Sequence, residues 1–339
     1  MDNEISLSIV VPSKNEESNI ARCLDSISKH PSSFKNAEII LVDCQSNDKT
    51  IEIANKYPIK ILQLRPDWTH TPAAARYIGS IFASGEFVFF IDADMILEPD
   101  FLERAIDILN QDKNIAAVGG IGKEVYLKDG KEIGVRLNLY HTKNLLTKVN
   151  FLGGSALYRK KALMEVEGFN PYLRASEENE LAQRLRGKNY SLISIPFPMV
   201  THYTADINEW REFKRKRKMN LFLGIGEAMR ISHSVRYLLE TLFYYKEFAL
   251  FLLFVLCELV ILIAILSLNK INSPYLFALP IFVFYIYLLF KKGSFKLALL
   301  SLIKWFIICA DIIFGLMRHP RDPKAYPRNP YILKGNFDV

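Results

Sequence analysis

Between residues 6 and 94 the chain repeats one unit, a short apolar and largely β-branched run followed by a polar stretch with helical spacing. The runs are SLSIVV (6–11), AEIILV (37–42), IKILQL (59–64) and EFVFFI (86–91). Between them, apolar residues recur at helical intervals: Ile20, Leu24 and Ile27, then within 48–57, then within 72–83. Near-continuous apolar strands alternating with helices predict an α/β fold with a parallel sheet covered on both faces. Ligands of such sheets sit outside the carboxyl ends of the strands, so the residues following each strand are where chemistry is expected.

Those ends are rich in carboxylates. The first strand leads into Pro12-Ser13-Lys14-Asn15-Glu16-Glu17, the second into Asp43-Cys44-Gln45-Ser46-Asn47-Asp48, and the fourth into Asp92-Ala93-Asp94. Neither GxGxxG nor GxxxxGK[ST] is present, which argues against a dinucleotide enzyme and a P-loop NTPase. A phosphate-bearing ligand would then need another holder, and a hard divalent cation on carboxylate oxygens is the candidate. Asp92 and Asp94, one residue apart after a buried strand, suit that role. The alternative is that Asp94 or Asp100 caps a helix near 99–110.

The 339 residues are 50% apolar and 23% charged, too hydrophobic for an ordinary cytosolic enzyme and too charged for a channel. The average hides two populations. Residues 248–317 carry only Glu258, Lys270, Lys291, Lys292, Lys296, Lys304 and Asp311 as charges and hold three apolar stretches, 248–268, 274–290 and 295–317, the second without any charge. Before them, residues 209–218 place six cations in ten positions, and 219–246 mix apolar with basic residues, as in helices lying in a headgroup plane. Cations at that boundary, without interleaved stacking platforms, point to anionic lipids and not to nucleic acid. The expected organisation is a globular domain over 1–205, basic amphipathic juxtamembrane helices over 206–247, two or three transmembrane helices over 248–317 and a basic tail over 318–339. The N-terminus opens directly into a strand-like run, so a multi-pass membrane protein with its globular domain on the cytoplasmic face is expected. Cys23, Cys44, Cys257 and Cys309 have no metal-ligand spacing and read as free buried thiols.

SIVVPSKNEESNIARCLDSI, LVDCQSNDKT, PAAARYIGSIFASGEFVFFIDAD, GGSALYRKKALMEVEGFNP and SEENELAQRLR, in that order, resemble glycosyltransferase family 2 over about residues 5–220. The resemblance implies the GT-A fold, a nucleotide-diphosphate sugar donor (most often UDP-linked), Mg²⁺ or Mn²⁺, and inversion at the anomeric carbon. It assigns Pro12, Asn15 and Glu16 to the loop bordering the nucleotide, and Asp43 to the base or ribose. Ser46 and Asp48 belong to the following S-x-D-x-T element. Asp92 falls near the ribose, Asp94 on the metal, and Arg76 at a basic position ahead of the DxD strand. Tyr77 replaces the family's usual Asn after that basic residue.

In the second half, Glu177-Glu178 matches the family's acidic pair, with Glu178 as the base. The alternative is an acidic first helical turn complementing the macrodipole. Glu180 and Arg184 read as a surface pair. Gly153, Gly154 and Ser155 contact sugar or acceptor, or form a plain tight turn. His202 joins the metal or the diphosphate, or is a satisfied strand histidine.

A sugar-transferring domain tethered through a basic segment suggests a lipid-linked acceptor at an anionic bilayer. A hydroxyl on a lipid-linked sugar is favoured over polyprenyl phosphate, because an ionised phosphate needs no base. The rival of another class is an inactive nucleotide-sugar-binding scaffold. Oligomeric state is not readable. A third span would carry the tail across the bilayer despite its five Lys and Arg, against the positive-inside rule. Lys304 and Asp311, seven apart, are expected to pair with each other and with Glu258.

Overall fold

The computed structural model describes residues 6–29, 36–128, 131–138, 145–205, 209–232, 246–268 and 275–337. They form two compact units, residues 1–209 with 321–339, and residues 210–320.

The strands of the repeated unit lie where the apolar runs place them: β1 (Ser6–Ser13), β2 (Asn36–Asp43), β3 (Lys60–Gln63) and β4 (Phe87–Phe90). β1 pairs in parallel with both β2 and β4, and β2 with β3. The parallel pairing expected of the first 95 residues is thus found, and the sheet as a whole is mixed, as the GT-A resemblance implies. β5 (Met95–Leu97), β9 (Ala156–Arg159) and β10 (Ser191–Ala205) enter antiparallel pairings, while β10 runs parallel to β6 (Ile115–Lys128). Including β7 (Lys131–Asn138), β8 (Thr147–Val149) and β11 (Tyr331–Lys334), the described residues form one mixed eleven-stranded sheet, β11-β3-β2-β1-β4-β9-β6-β10-β5 along its main path.

Alternate strand residues feed two cores. Val10, Ile40, Val42, Leu62, Val88 and Phe90 face the side covered by α3 (Pro72–Phe82). Leu7, Ile9, Val11, Leu41, Phe87 and Phe89 face the side covered by α1 (Ile20–Ser28) and α4 (Phe101–Gln111). α3 begins cleanly because Thr71 accepts from the Ala74 N–H and Pro72 stands at the first turn, where its missing N–H costs nothing. Two further helices, α5 (Lys160–Glu165) and α6 (Glu177–Gly187), complete this unit. Glu180 and Arg184 are not the surface pair expected of them. Glu180 is buried, receives Arg184 at 2.6 and 2.7 Å, and that guanidinium also donates to the Val166 carbonyl.

Residues 321–337, read from the sequence as part of a separate tail, belong to this first unit. β11 runs antiparallel to β3, with Tyr331 opposite Gln63 and Ile332 opposite Leu62.

The second unit holds α7 (Glu209–Lys218), α8 (Leu221–Ser232), α9 (Lys246–Leu268), α10 (Tyr275–Lys292) and α11 (Phe295–Met317). Each expected apolar stretch is helical. Among the described residues one helix, Phe295–Met317, is long and apolar enough to cross a membrane, with a shorter apolar stretch at Ala249–Ala264. Residues 233–245, part of the expected juxtamembrane segment, lie outside the described residues. Where α8 meets α11 the backbones nearly touch: a Cβ on Gly226 would stand 2.0 Å from the Ile312 carbonyl oxygen. Asp311 meets Arg217 of α7 at 3.1 Å, a partner outside the set its spacing suggested, and Glu258 accepts from the Ile281 N–H at 3.2 Å. Cys23, Cys44 and Cys309 are free and buried as expected, whereas Cys257 is exposed.

Candidate active site

Four strand ends and the start of α6 meet at one edge of the sheet. Ile91 hydrogen-bonds back to Val10, so the chain leaves β4 beside β1 and presents Asp92 and Asp94 there. Arg76, buried on α3, reaches across to them. Its Nη2 donates to Asp92 at 2.6 Å and its Nη1 to Glu177 at 2.9 Å, with Glu178 Oε1 4.0 Å from Nη1. The basic residue ahead of the DxD strand therefore clamps that motif to the acidic pair of α6. Tyr77, standing in for the family's Asn, points elsewhere, packing on Tyr326 and accepting from Arg328.

Gly154 closes this arrangement. A Cβ there would lie 2.6 Å from Arg76 Nη2, 3.2 Å from Glu178 Oε1 and 3.3 Å from Asp92 Oδ2. Only glycine leaves the clamp undisturbed, a close approach and not merely a turn. Ser155 is buried, with its hydroxyl 3.2 Å from Met95 Sδ.

Glu177 and Glu178 open α6, and burial raises both carboxyls despite Arg76. For Glu178 burial, then the charge of Glu177, pushes the value up to about 8. A carboxyl so lifted, on the first turn of α6, has the property that a general base near neutrality requires. The acidic first turn is real as well, since Glu177, Glu178 and Glu180 all fall in it.

Asp94 is not a helix cap. Its Oδ2 lies 3.1 Å from His202 Nε2, and its buried Oδ1 has no hydrogen-bond partner. Asp100 occupies the residue before α4 with a left-handed φ of 61° and makes no capping bond. His202 thus sits on β10 beside the DxD motif, its pKa raised by the hydrogen bond it donates to Asp94. An orphaned carboxylate oxygen and an imidazole beside it are donors of the types a divalent cation accepts. Among the described residues no three such side chains converge as a complete metal cage.

The nucleotide-side residues form a scaffold of their own. Asp43 is fully buried; it accepts from Ser46 N and Gln63 Nε2, each at 2.9 Å, and from Ser46 Oγ at 2.5 Å. Asn15, with φ 57°, donates its N–H to Ser46 Oγ and accepts from Asn47 N. Glu16 donates its N–H to Thr50 Oγ1, and Asp48 accepts from Thr50 and Glu17. Pro12 lies within β1, opposite Val42. Burial, together with the charges of Asp94 and Asp92, raises Glu16 against the hydrogen bond from Asn19. Pro12, Asn15, Asp43, Ser46 and Asp48 thus shape two interlocked loops, while Glu16, Arg76, Asp92, Asp94, Gly154, Glu177, Glu178 and His202 gather around the cleft. Gln63, which sequence reading passed over, is half-buried at the end of β3 and bonded to Asp43. Its position at a strand end was the available signal.

Residues 8–168 match the family described as Glycosyl transferase family 2. The chain carries a glycosyltransferase family 2 domain. Among similar proteins, the chain is 27% identical over 206 residues to a poly(ribitol-phosphate) β-N-acetylglucosaminyltransferase, TarS, of Staphylococcus aureus; the match covers 58% of the chain and 35% of that relative. It is 24% identical over 316 residues to a dolichyl N-acetyl-α-D-glucosaminyl phosphate 3-β-D-2,3-diacetamido-2,3-dideoxy-β-D-glucuronosyltransferase of Methanococcus voltae, covering 86% of the chain and 96% of that protein. The chain thus spans about a third of TarS and nearly all of the archaeal relative. A solved structure of GalNAc-T7 with UDP, GalNAc and Mn²⁺ superposes with a TM-score of 0.51 at 18% identity, over 60% of this chain and 45% of that one. The likeness extends to the fold, a mixed α/β sheet of the GT-A type.

Proposed function

We propose that this glycosyltransferase moves a sugar, with inversion, from a nucleotide-diphosphate sugar, UDP-linked for preference, to a hydroxyl of a lipid-linked acceptor. The observation that carries the reading is the convergence of Asp92, Glu177 and Glu178 on Arg76 around Gly154. In this reading the donor-side Asp92 and the acceptor-side Glu177 are held by one guanidinium, with Glu178 Oε1 4.0 Å from it.

In this reading Glu178 takes the proton of the acceptor hydroxyl as its oxygen bonds to the anomeric carbon. The bond from that carbon to the diphosphate breaks, and its electron pair leaves on the diphosphate. Arg76 holds Glu177 and Asp92 so that Glu178 faces the cleft. The Asp43, Ser46 and Gln63 network borders the nucleotide. Asp94, with Asp92 and His202 beside it, would hold Mg²⁺ or Mn²⁺, which neutralises charge on the leaving diphosphate when bound. A single displacement needs no covalent glycosyl-enzyme.

A membrane seat is supported by the apolar helix Phe295–Met317, with a hydropathy of 2.2, and by the Arg- and Lys-rich last turn of α7. It accords with the dolichyl-linked acceptor named for the Methanococcus voltae relative. We place the domain on the cytoplasmic face of a multi-pass protein at an anionic bilayer. The pairing of β11 with β3 supports an even number of crossings between them, with the tail on the side of the domain.

A second reading, transfer to polyprenyl phosphate, draws on one observation. Glu178 at about 8 is largely protonated at neutral pH, and a phosphate acceptor needs no base. Nucleotide release by the detergent-purified protein with Mn²⁺ separates the two. The assay uses a panel of nucleotide sugars with either polyprenyl phosphate or lipid-linked sugars. Turnover that requires lipid-linked sugar and is lost in Glu178→Gln supports the base-assisted reading. Turnover with bare polyprenyl phosphate that survives Glu178→Gln supports the second. No turnover with any donor, with nucleotide still bound, overturns both.

A further inference from the structure

The last residues of the chain return to the transferase domain. Asp322 accepts from the Lys324 N–H at 2.9 Å and caps a short 3₁₀ turn, after which β11 joins the edge of the sheet. Between these two points stands Tyr326, 2% exposed. Its ring meets Trp68, Tyr77 and Tyr172 edge-on, at centroid distances of 5.5, 6.0 and 5.4 Å, and its hydroxyl donates to the Thr69 carbonyl at 2.7 Å. Edge-to-face pairs of this kind contribute beyond their buried area.

The three ring partners belong to three segments that converge on the site. Trp68 lies on the loop leading into α3. Tyr77 follows Arg76 on α3 itself. Tyr172 lies on the loop that leads into α6 and its Glu177-Glu178 pair. The first and third segments are also joined by Thr71, whose hydroxyl caps α3 and donates to the Pro171 carbonyl at 2.8 Å. Tyr326 thus joins all three segments, and Arg321 of the same C-terminal segment adds contacts to Thr69 at 3.4 Å and to the face of Tyr172.

We propose that Tyr326 is a positioning residue for sugar transfer, holding the 170–176 loop against α3 so that Arg76 and the Glu177-Glu178 pair keep their register. The inference rests on the reading of Glu178 as the base. Asp43, Asp92 and Asp94 stand at the ends of strands tied by their own ladders, so nucleotide binding does not depend on the ring. Loss of Tyr326 therefore acts on turnover and not on nucleotide affinity, because small misplacements of reacting groups cost far more in rate than in binding.

The test compares Tyr326→Ala and Tyr326→Phe with the unsubstituted full-length protein in detergent. Tyr326→Phe keeps the three ring contacts and should retain kcat within about fivefold. Tyr326→Ala should lower kcat by about tenfold or more, with UDP affinity changed by less than about threefold. It should also speed amide hydrogen exchange over 168–178 and leave β1 and β4 unchanged. Unchanged kcat per UDP-binding molecule, unchanged exchange over 168–178, or loss of UDP affinity in step with kcat would each overturn the proposal. Turnover by the unsubstituted protein judges the transferase reading separately. The exchange comparison needs no substrate, so it judges Tyr326 even where that reading fails.

Discussion

Arg76 and Glu177, 101 positions apart in sequence, form an ion pair of 2.9 Å with side chains only 3% and 7% exposed. Arg76 also binds Asp92, so a single guanidinium joins the carboxylate that follows β4 to one that opens α6. Planar, multidentate recognition of that kind is specific to arginine.

Replacing Arg76 leaves Glu177 buried without its cation, a loss of about 3–5 kcal/mol for a broken buried pair. Arg76→Ala and Arg76→Lys should both melt earlier than the unsubstituted protein and lose transfer activity. Burial already raises Glu177. A carboxyl raised on folding contributes stability below its unfolded value and loses it as pH rises through the folded value. The melting deficit of Arg76→Ala should therefore shrink at acidic pH, where neutral Glu177 needs no partner. Thermal denaturation between pH 5 and pH 8 measures it, and a deficit constant across that range would count against the clamp.

Glu178 must be ionised to accept a proton. With its carboxyl pushed up to about 8, first by burial and then by Glu177, kcat for a hydroxyl acceptor should climb with pH and level off above about 8. Glu178→Gln should cost about 10²–10⁴ in kcat and remove that limb, leaving UDP affinity unaltered. A pH–rate profile of the two proteins decides it.

Gly154→Ala should disable the site without unfolding the domain, since its Cβ would enter the space between Arg76, Glu178 and Asp92. A fall in kcat of about tenfold or more is expected. Gly134 on β7 has nothing within 4 Å of a Cβ and supplies the control. Equal activity of Gly154→Ala and Gly134→Ala would show that the approach at Gly154 is unimportant.

Chelation should stop transfer and Mn²⁺ should restore it in the unsubstituted protein. In Asp94→Asn the oxygen without a partner is no longer part of a carboxylate, so restoration should fail. His202→Gln should need more Mn²⁺ for half-maximal activity. Isothermal titration of Mn²⁺ in the presence of UDP, repeated for each variant, checks the assignment without turnover.

The candidate site was half legible before folding. Asp92 and Asp94 could be found because a buried four-residue strand ends just ahead of them. Glu177 and Glu178 were marked by the resemblance to the family's acidic pair, since the residues alone indicate only an acidic first helical turn. Asp43 stands at the end of β2 as expected, yet its side chain turns inward to Ser46 and Gln63, and spacing carries no information on which way a carboxylate turns. Gln63 was invisible for the related reason that an amide acquires meaning only from the partner it meets.

Apolar run lengths and periods are local properties of the backbone, and by themselves they determined the order of the first strands and helices and which residues stand at the strand ends. The tertiary structure alone decided that Arg76 lies between two carboxylates, that Gly154 borders that contact, and that Tyr331–Lys334 closes the edge left open by β3. The tail is rich in Pro, Arg and Lys, a composition that reads as solvated coil. It becomes a strand because β3 presents unpaired backbone groups and because Trp68, Tyr77 and Tyr172 together form an aromatic recess for Tyr326. Such contacts join residues far apart in the chain, and their free energy exists only once the sheet has brought them together.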